Sequence, residues 1–160
     1  MTDSEASPEV AVSGGPPANR MVIAVLAMIG FFVALYLVAH TLGWTGPLMC
    51  GVGDCSTVQS SRYAWIGPIP VSGMGLAGYV MYLALAVLGI QPGWWSSRLI
   101  AGLLLATSTV GLAFSAYLTY LEAAVIHAWC QWCVISAILV TLIFLASLLE
   151  VRRLKGDAHA

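Results

Sequence analysis

The sequence predicts an all-α integral membrane protein, a four-transmembrane-helix bundle with a short interfacial helix in the first outer loop. The 160 residues are 60% hydrophobic and only 8% charged, with a mean hydropathy of +0.92. Soluble domains carry about 25% charged residues. The charges are also clustered, so that ranges 63–97 and 123–149 contain none. Six basic against seven acidic residues leave no basic surface for phosphates, which excludes nucleic acid as a partner and leaves membrane lipid as the surroundings.

Four apolar segments are each long enough to cross a bilayer, which needs about 20 residues at 1.5 Å each. The predicted spans are about 21–42, 71–90, 99–121 and 130–151. Helix-breaking Gly and Pro residues separate the first three spans, and Glu122 after the third is interpreted as a loop charge. Residues 21–151 thus form one predicted membrane domain. Disordered residues 1–20 and residues 152–160 are its predicted cytoplasmic tails.

The basic residues predict the orientation, because Lys and Arg near span ends stay on the cytoplasmic side. With four spans, five of the six fall on one face: Arg20, Arg98, Arg152, Arg153 and Lys155. Arg62 falls on the other. Both termini are therefore expected in the cytoplasm, whereas the outer loop 43–70 and the loop 122–129 are expected outside the cell membrane. All four cysteines then lie on the extracytoplasmic side.

The cysteines form two pairs with different spacing. Cys130 and Cys133 make a C-x-x-C at the start of the last span, where a helix N-terminus favours the thiolate of Cys130. Cys50 and Cys55 flank the outer-loop segment Gly-Val-Gly-Asp, whose glycines permit a turn. Two dithiol pairs on one outer face predict an electron relay from the loop pair to the C-x-x-C. In the absence of a haem, flavin or nucleotide motif, a lipid-soluble quinone is the expected acceptor.

The segment after Cys55 predicts how the loop reaches the bundle. Ser56 to Gln59 has the S-x-x-Q form of a capping box, which predicts a short helix in the loop. This helix would lie over the outer end of the bundle and bring Cys55 towards Cys130. Trp132, between the two C-x-x-C cysteines, is a candidate for packing on a ring ligand.

Two other interpretations of the cysteines stay open at this point. The four residues could form two static disulfides in a structural scaffold. They could instead make a four-cysteine metal site in a non-catalytic metal-binding membrane protein, because C-x₄-C with C-x₂-C lies within tolerated ligand spacings.

The motifs resemble those of bacterial vitamin K epoxide reductase homologues over about residues 20–151. They are C-G-V-G-D-C-S-T-V-Q-S-S-R-Y in the loop, G-P-I-P-V-S-G-M-G-L-A-G-Y after it, and C-Q-W-C-V-I-S-A in the last span. Their order is the family's order, with the loop pair first and the C-x-x-C last. The DsbB family is similar in function, but it carries its C-x-x-C in the first outer loop and is a poorer match.

The resemblance implies a thiol:quinone oxidoreductase that generates disulfides. Cys50 would exchange with a separate thioredoxin-fold, DsbA-like partner, and Cys55 would form a transient mixed disulfide with Cys130. Cys133 would be the cysteine nearest the quinone, either menaquinone or ubiquinone.

The resemblance also assigns roles to residues around the cysteines. Ser61 matches a serine or threonine of the loop helix that helps to position the redox chemistry. Ala137 stands where the animal enzymes have a quinone-binding tyrosine, so Ala137 and Trp132 are expected to line the quinone pocket. The asparagine that the animal enzymes use near the second span has no match, because Asn19, the single asparagine, lies in the predicted tail.

Overall fold

The computed structural model describes residues 18–156. The predicted disordered tail therefore lies largely outside the described residues, as do the last four residues of the chain. Residues 18–20, which were predicted to belong to the tail, are helical.

Within the described residues the chain forms four long helices, one short helix and a two-stranded ribbon. In chain order they are α1 (Ala18–Thr41), α2 (Cys55–Ser60), β1 (Trp65–Ile66), β2 (Ile69–Pro70), α3 (Val71–Ile90), α4 (Arg98–Leu121) and α5 (Gln131–Gly156). The four long helices are each long and apolar enough to cross a membrane. The predicted fold class, a four-helix membrane bundle with a short helix in the first outer loop, is confirmed.

The ends of the long helices follow from local sequence. Pro70 precedes α3, and α3 stops at Ile90, two residues before Pro92. The Ser97 hydroxyl caps α4 by accepting a hydrogen bond from the Ile100 amide at 3.4 Å. At its other end α4 continues into a π-helical turn, Glu122–Ile126, which His127 ends with a left-handed φ of 56°. The connection to α5 is therefore shorter than the predicted loop 122–129.

The core of the bundle combines aliphatic side chains with alanines and two tyrosines, and its small residues let the helices approach closely. Helix α1 packs against α3 and α5, and α4 packs against α5 and α3. The Tyr79 ring lies directly against Gly30, where the Cβ of any other residue would overlap it. Many large apolar side chains point outwards instead, as expected of a surface in contact with lipid rather than water. The most exposed on the long helices are Val25, Phe32, Leu99, Val110 and Tyr120.

The outer loop folds back over one end of the bundle. Helix α2 is followed by a 3₁₀ turn, Arg62–Ala64, and by the antiparallel ribbon β1–β2, in which Trp65 pairs with Pro70 and Ile66 with Ile69. The predicted short helix is confirmed, but the predicted cap at Ser56 is wrong. The cap is Asp54, two residues earlier, because the Asp54 carboxylate accepts hydrogen bonds from the Thr57 amide at 3.0 Å and from the Ser56 hydroxyl at 2.7 Å.

The opposite end of the bundle is closed by a buried ion pair. The Arg20 guanidinium has no exposed surface and donates to the Glu150 carboxylate at 3.1 Å. It also donates to the carbonyl oxygens of Gly89, Trp94 and Ser97 at 2.7, 2.7 and 3.1 Å. Arg20, predicted to lie in a tail, thus joins α1, α3, α5 and the connection before α4.

Candidate redox site

All four cysteines lie in one cluster under the outer loop. Cys50 and Cys55 form a disulfide with their Cα atoms 6.1 Å apart, whereas Cys130 and Cys133 are free thiols. Cys55 and Cys130 have no exposed surface and pack with Val58, with Cys50 and Cys133 at the edges of the cluster. The two pairs, 75 residues or more apart in sequence, are therefore brought into direct packing.

Main-chain contacts hold the loop on the C-x-x-C segment. The Asp54 amide donates to the Trp129 carbonyl at 2.9 Å, and Gly53 pairs with Cys130 in an antiparallel bridge. Gly53 has a φ of 87°, and a Cβ at this position would overlap the Trp129 carbonyl oxygen. The contact that aligns Cys55 with Cys130 thus requires glycine on both counts.

The two residues between Cys130 and Cys133 also hold the loop. The Gln131 side-chain oxygen accepts hydrogen bonds from the Gly51 and Val52 amides, both at 3.0 Å. The Trp132 indole donates to the Met49 carbonyl at 3.1 Å. The sequence analysis did not predict that Gln131 holds the loop. Its position inside the C-x-x-C was the one sequence feature that could have indicated this role.

Cys130 lies at the N-terminus of α5, where its carbonyl accepts the Val134 amide at 3.0 Å. A hydrogen bond from the Cys133 side chain lowers the pKa of the Cys130 thiol, and this outweighs the opposing effect of burial. The direction is the one that the sequence predicts, but its largest cause is the neighbouring cysteine, which the prediction did not include.

Glu122 lies against the C-x-x-C from the end of α4. Its side chain is 4% exposed, its Oε2 accepts the Cys130 amide at 3.0 Å, and the Cys133 thiol lies beside the same carboxyl. The interpretation of Glu122 as a loop charge is wrong, because the helix continues past it as a π-helical turn and the side chain points inwards. One sequence feature could have indicated this buried position, because Glu122 is the single Asp, Glu, Lys or Arg in range 99–149.

A cavity of about 540 Å³ opens beside Cys133, within the usual size range of small-molecule sites. Its walls come from all four long helices and the loop, and they are mostly apolar. Met81 and Val110 both line it and are exposed on the outer surface, so the cavity reaches that surface between α3 and α4. The polar groups that line it include Gln59, Ser61, Tyr79, Glu122, Cys133 and Ser136.

Hydrogen bonds hold several of these polar groups in place. The Gln59 amide donates to the Cys133 sulfur at 3.8 Å. The Tyr79 and Ser136 hydroxyls share a hydrogen bond of 2.8 Å. Of the two free thiols, Cys133 is the one that lines the cavity, and the Gln59 amide is its hydrogen-bond donor.

The predicted supporting residues have mixed placements. Ser61 lines the cavity just after α2, where its hydroxyl donates to the Val58 carbonyl at 2.7 Å. Trp132 and Ala137 are not among the lining residues. The face of α5 that lines the cavity carries residues 133, 136 and 140, which follow the helical spacing of three and four. Trp132 instead contacts the outer loop and the Tyr36 ring.

The geometry of the cysteines also bears on the metal-site interpretation. The Cys50–Cys55 disulfide ties up two of the four thiolates that such a site needs. Within residues 18–156, no three His, Cys, Asp or Glu side chains converge to hold a metal ion. The arrangement instead places a disulfide, a dithiol and an apolar cavity next to one another.

A comparison with known protein families agrees with this arrangement. A model of the Vitamin K epoxide reductase family matches residues 21–148, which include the four cysteines, the loop helix and Glu122. The match covers most of the chain, so this protein belongs to the Vitamin K epoxide reductase family and is a membrane oxidoreductase.

Proposed function

We propose that this protein generates disulfides by passing electrons from a separate thioredoxin-fold, DsbA-like partner to a membrane quinone. One observation carries the proposal. Cys55 and Cys130 are buried together in one cluster, while Cys133 faces an apolar cavity that reaches the outer surface of the bundle. The cysteines therefore form a continuous route from the loop to the lipid-facing surface.

The first exchange takes place at the loop disulfide. Cys50 is half-buried and Cys55 is fully buried, so a thiolate of the partner attacks the Cys50 sulfur. The partner's second thiolate then resolves that mixed disulfide. The partner leaves oxidised, and Cys50 and Cys55 are left as thiols.

The second exchange takes place inside the cluster. The Cys55 thiolate attacks Cys130 of an oxidised C-x-x-C, and Cys50 closes the resulting mixed disulfide to restore the loop pair. Cys130 and Cys133 are then reduced. This is the redox state of the structure, in which the loop pair is a disulfide and the C-x-x-C is a dithiol.

The cavity fits a quinone. Its apolar walls suit the ring and the isoprenoid chain, and the lining polar groups that could hydrogen-bond a ring oxygen include the Tyr79 and Ser136 hydroxyls and the Gln59 amide. A bound quinone would supply an acceptor for two electrons and two protons. Cys133 is the thiol in position to deliver the electrons, because it is the cysteine that lines the cavity.

The orientation belongs to the same proposal. The distribution of basic residues favours a cytoplasmic location for both termini, which puts the cysteines on the extracytoplasmic side of the cell membrane. Disulfides form and persist in that compartment. A thiol reagent that does not cross membranes should label the reduced Cys50 in intact spheroplasts. Labelling only after lysis would invert the topology.

The test is quinone-dependent oxidation of a reduced DsbA-like protein by the purified membrane protein, with a short-chain ubiquinone or menaquinone. Replacing Cys50, Cys55, Cys130 or Cys133 by alanine should each abolish it, whereas Ser60→Ala, at an exposed position of α2, should retain it. In Cys133→Ala the Cys55–Cys130 mixed disulfide should accumulate and be found by peptide mass spectrometry. Full activity of Cys130→Ala or Cys133→Ala would overturn the mechanism. Stoichiometric zinc or copper with four unoxidised thiols would favour the metal-binding alternative.

A further inference from the structure

The described part of the chain buries two carboxylates inside the bundle, and only one of them has a cation. Glu150 is paired with Arg20 and Arg153, at 3.1 and 3.2 Å. Glu122 is buried nearly as deeply, and it forms no ion pair within residues 18–156. An unpaired buried carboxylate is costly to keep ionised, and such groups are concentrated at functional sites.

The Glu122 carboxyl is fixed between the C-x-x-C and the cavity. Its backbone carbonyl accepts the His127 amide and, at 3.2 Å, the Ala128 amide, which anchors the π-helical turn. Its side chain accepts the Cys130 amide at 3.0 Å and lies beside the Cys133 thiol. Glu122 and Cys133 both line the cavity. The carboxyl is thus within reach of a reacting thiol and of the space that the electron acceptor would fill.

Apart from the Cys130 thiol, whose pKa is lowered, the other groups that face Glu122 do not compete for a proton near neutral pH. The two thiols come from Cys130, just before α5, and from Cys133 in its first turn, and α2 contributes the neutral amide of Gln59. The remaining titratable side chains among the lining residues are tyrosines, which ordinarily lose a proton near pH 10. Within residues 18–156, the lining includes no Lys, Arg, His or Asp.

We propose that Glu122 accepts the proton of the Cys133 thiol during the oxidation of the C-x-x-C from dithiol to disulfide. The step rests on the proposed function, which supplies the quinone as oxidant. The Cys133 S–H bond breaks and its proton moves to the Glu122 carboxylate. The Cys130–Cys133 bond forms as two electrons leave for the ring, and the Cys130 proton goes to water. Two protons reach the ring oxygens, one from Glu122 and one from water, so that Glu122 ends as a carboxylate again.

The informative variant is Glu122→Gln. Glutamine has nearly the same shape, and its amide oxygen still accepts the Cys130 amide hydrogen bond, but it does not take up a proton. We expect the rate of quinone reduction by the reduced protein to fall about 100-fold or more, which is typical of the loss of a proton-transfer group. Glu122→Asp keeps a carboxylate and should recover part of the rate.

A second measurement needs no quinone. Alkylation of Cys130 in the reduced protein, located by peptide mass spectrometry, reports how much Cys130 thiolate is present at a given pH. The negative charge of Glu122 disfavours the Cys130 thiolate, so removing that charge in Glu122→Gln should make alkylation several-fold faster than in the wild type. The two effects have opposite signs, with faster alkylation and slower quinone reduction.

The signs separate the possible results. Slower alkylation together with slower quinone reduction would make Glu122 a structural residue and overturn the proposal. Faster alkylation with equal or faster quinone reduction would make its charge a simple repulsion and also overturn it. A wild-type protein that reduces no quinone would instead overturn the proposed function, and this role with it.

Discussion

The two ends of the bundle each bury a glutamate, and they satisfy it in opposite ways. At one end Glu150 is held by Arg20, Asn19 and Arg153, so the negative charge is balanced by guanidinium groups. At the other end Glu122 accepts a main-chain amide beside two thiols and has no cation among the described residues. The charge of Glu150 is therefore neutralised by its partners, whereas Glu122, at the cysteine end, is left able to bind a proton.

The buried charge thus has a structural role at the Arg20 end and a chemical role at the cysteine end. The Arg20 guanidinium bridges three helices and leaves nothing free to react. The hydrogen bonds at the cysteine end instead hold the outer loop on the C-x-x-C segment, beside a disulfide and two free thiols. The two sets of contacts share no residue, so each can be altered separately.

The largest effect on stability is expected at the Arg20 end. Arg20→Met removes the buried partner of Glu150 and should lower the free energy of unfolding by about 3–5 kcal/mol, because a buried carboxylate is left without its main cation. Unfolding in mixed detergent micelles would measure this loss. Arg20→Met combined with Glu150→Met should recover most of it, and Arg152→Met, at an exposed position, should change little. A loss of less than about 1 kcal/mol would place this pair with ordinary surface salt bridges.

The next effect is expected where the loop meets the C-x-x-C. Gly53→Ala introduces a side chain at a positive φ and against the Trp129 carbonyl, at a strain of about 1–3 kcal/mol. The loop should shift away from Cys130, and the Cys55–Cys130 mixed disulfide should form about tenfold more slowly or worse in a Cys133→Ala background. Gly46→Ala is the matched control, since nothing lies within 4 Å of its added Cβ. Equal rates for the two variants would show that the bridge does not align the cysteines.

A smaller effect is expected from replacing Gln131, whose side chain hydrogen-bonds the loop. Gln131→Ala removes the acceptor of two main-chain hydrogen bonds at a solvent-exposed site, worth about 1 kcal/mol. Hydrogen exchange of the Gly51 and Val52 amides should become about fivefold faster. Gln131→Glu, which keeps the acceptor oxygens, should preserve the protection. Unchanged exchange in Gln131→Ala would show that the Gln131 side chain does not hold the loop in place.

The smallest effect is a pH dependence at the start of α2. Hydrogen bonds from Thr57, and then from Ser56, lower the pKa of Asp54 from 3.8 to about 2. Because the folded-state pKa is depressed, the stabilisation of the helix start is fully present above pH 3.8 and is lost as the pH falls towards 2. Proteolysis of the loop by an acid-stable protease should accelerate over that range. Asn is an equally good cap, so Asp54→Asn should keep the loop folded and abolish the acceleration.

The sequence was sufficient to predict the elements that depend on local composition. Long apolar runs bounded by Gly and Pro predicted four helices, and the segment after Cys55 predicted a short one. The start of that helix was misjudged because Ser56 and Asp54 are both good caps. The choice depended on which side chain could accept the Thr57 amide, a detail of loop geometry.

Features that depend on contacts between distant segments were missed. Glu122 and Arg20 were each interpreted from their neighbours as polar groups outside the bundle. Both are buried, because a π-helical turn directs Glu122 inwards and because α1 begins at Ala18 and carries Arg20 into the bundle. Likewise, the rotation of α5 about its axis decides that Ser136 lines the cavity and that Ala137 and Trp132 do not.

The docked loop contributes main-chain atoms to its hydrogen bonds with the segment around the C-x-x-C. Met49, Gly51, Val52 and Asp54 bind through amides and a carbonyl, while the bundle supplies the side chains of Gln131 and Trp132 and the Trp129 carbonyl. The Met49 and Val52 side chains remain 77% and 78% exposed beside the disulfide. Attachment thus depends little on the identity of the exposed side chains. Apart from Cys50, Gly53 and Asp54, this stretch can change its side chains without losing its hold on the membrane domain.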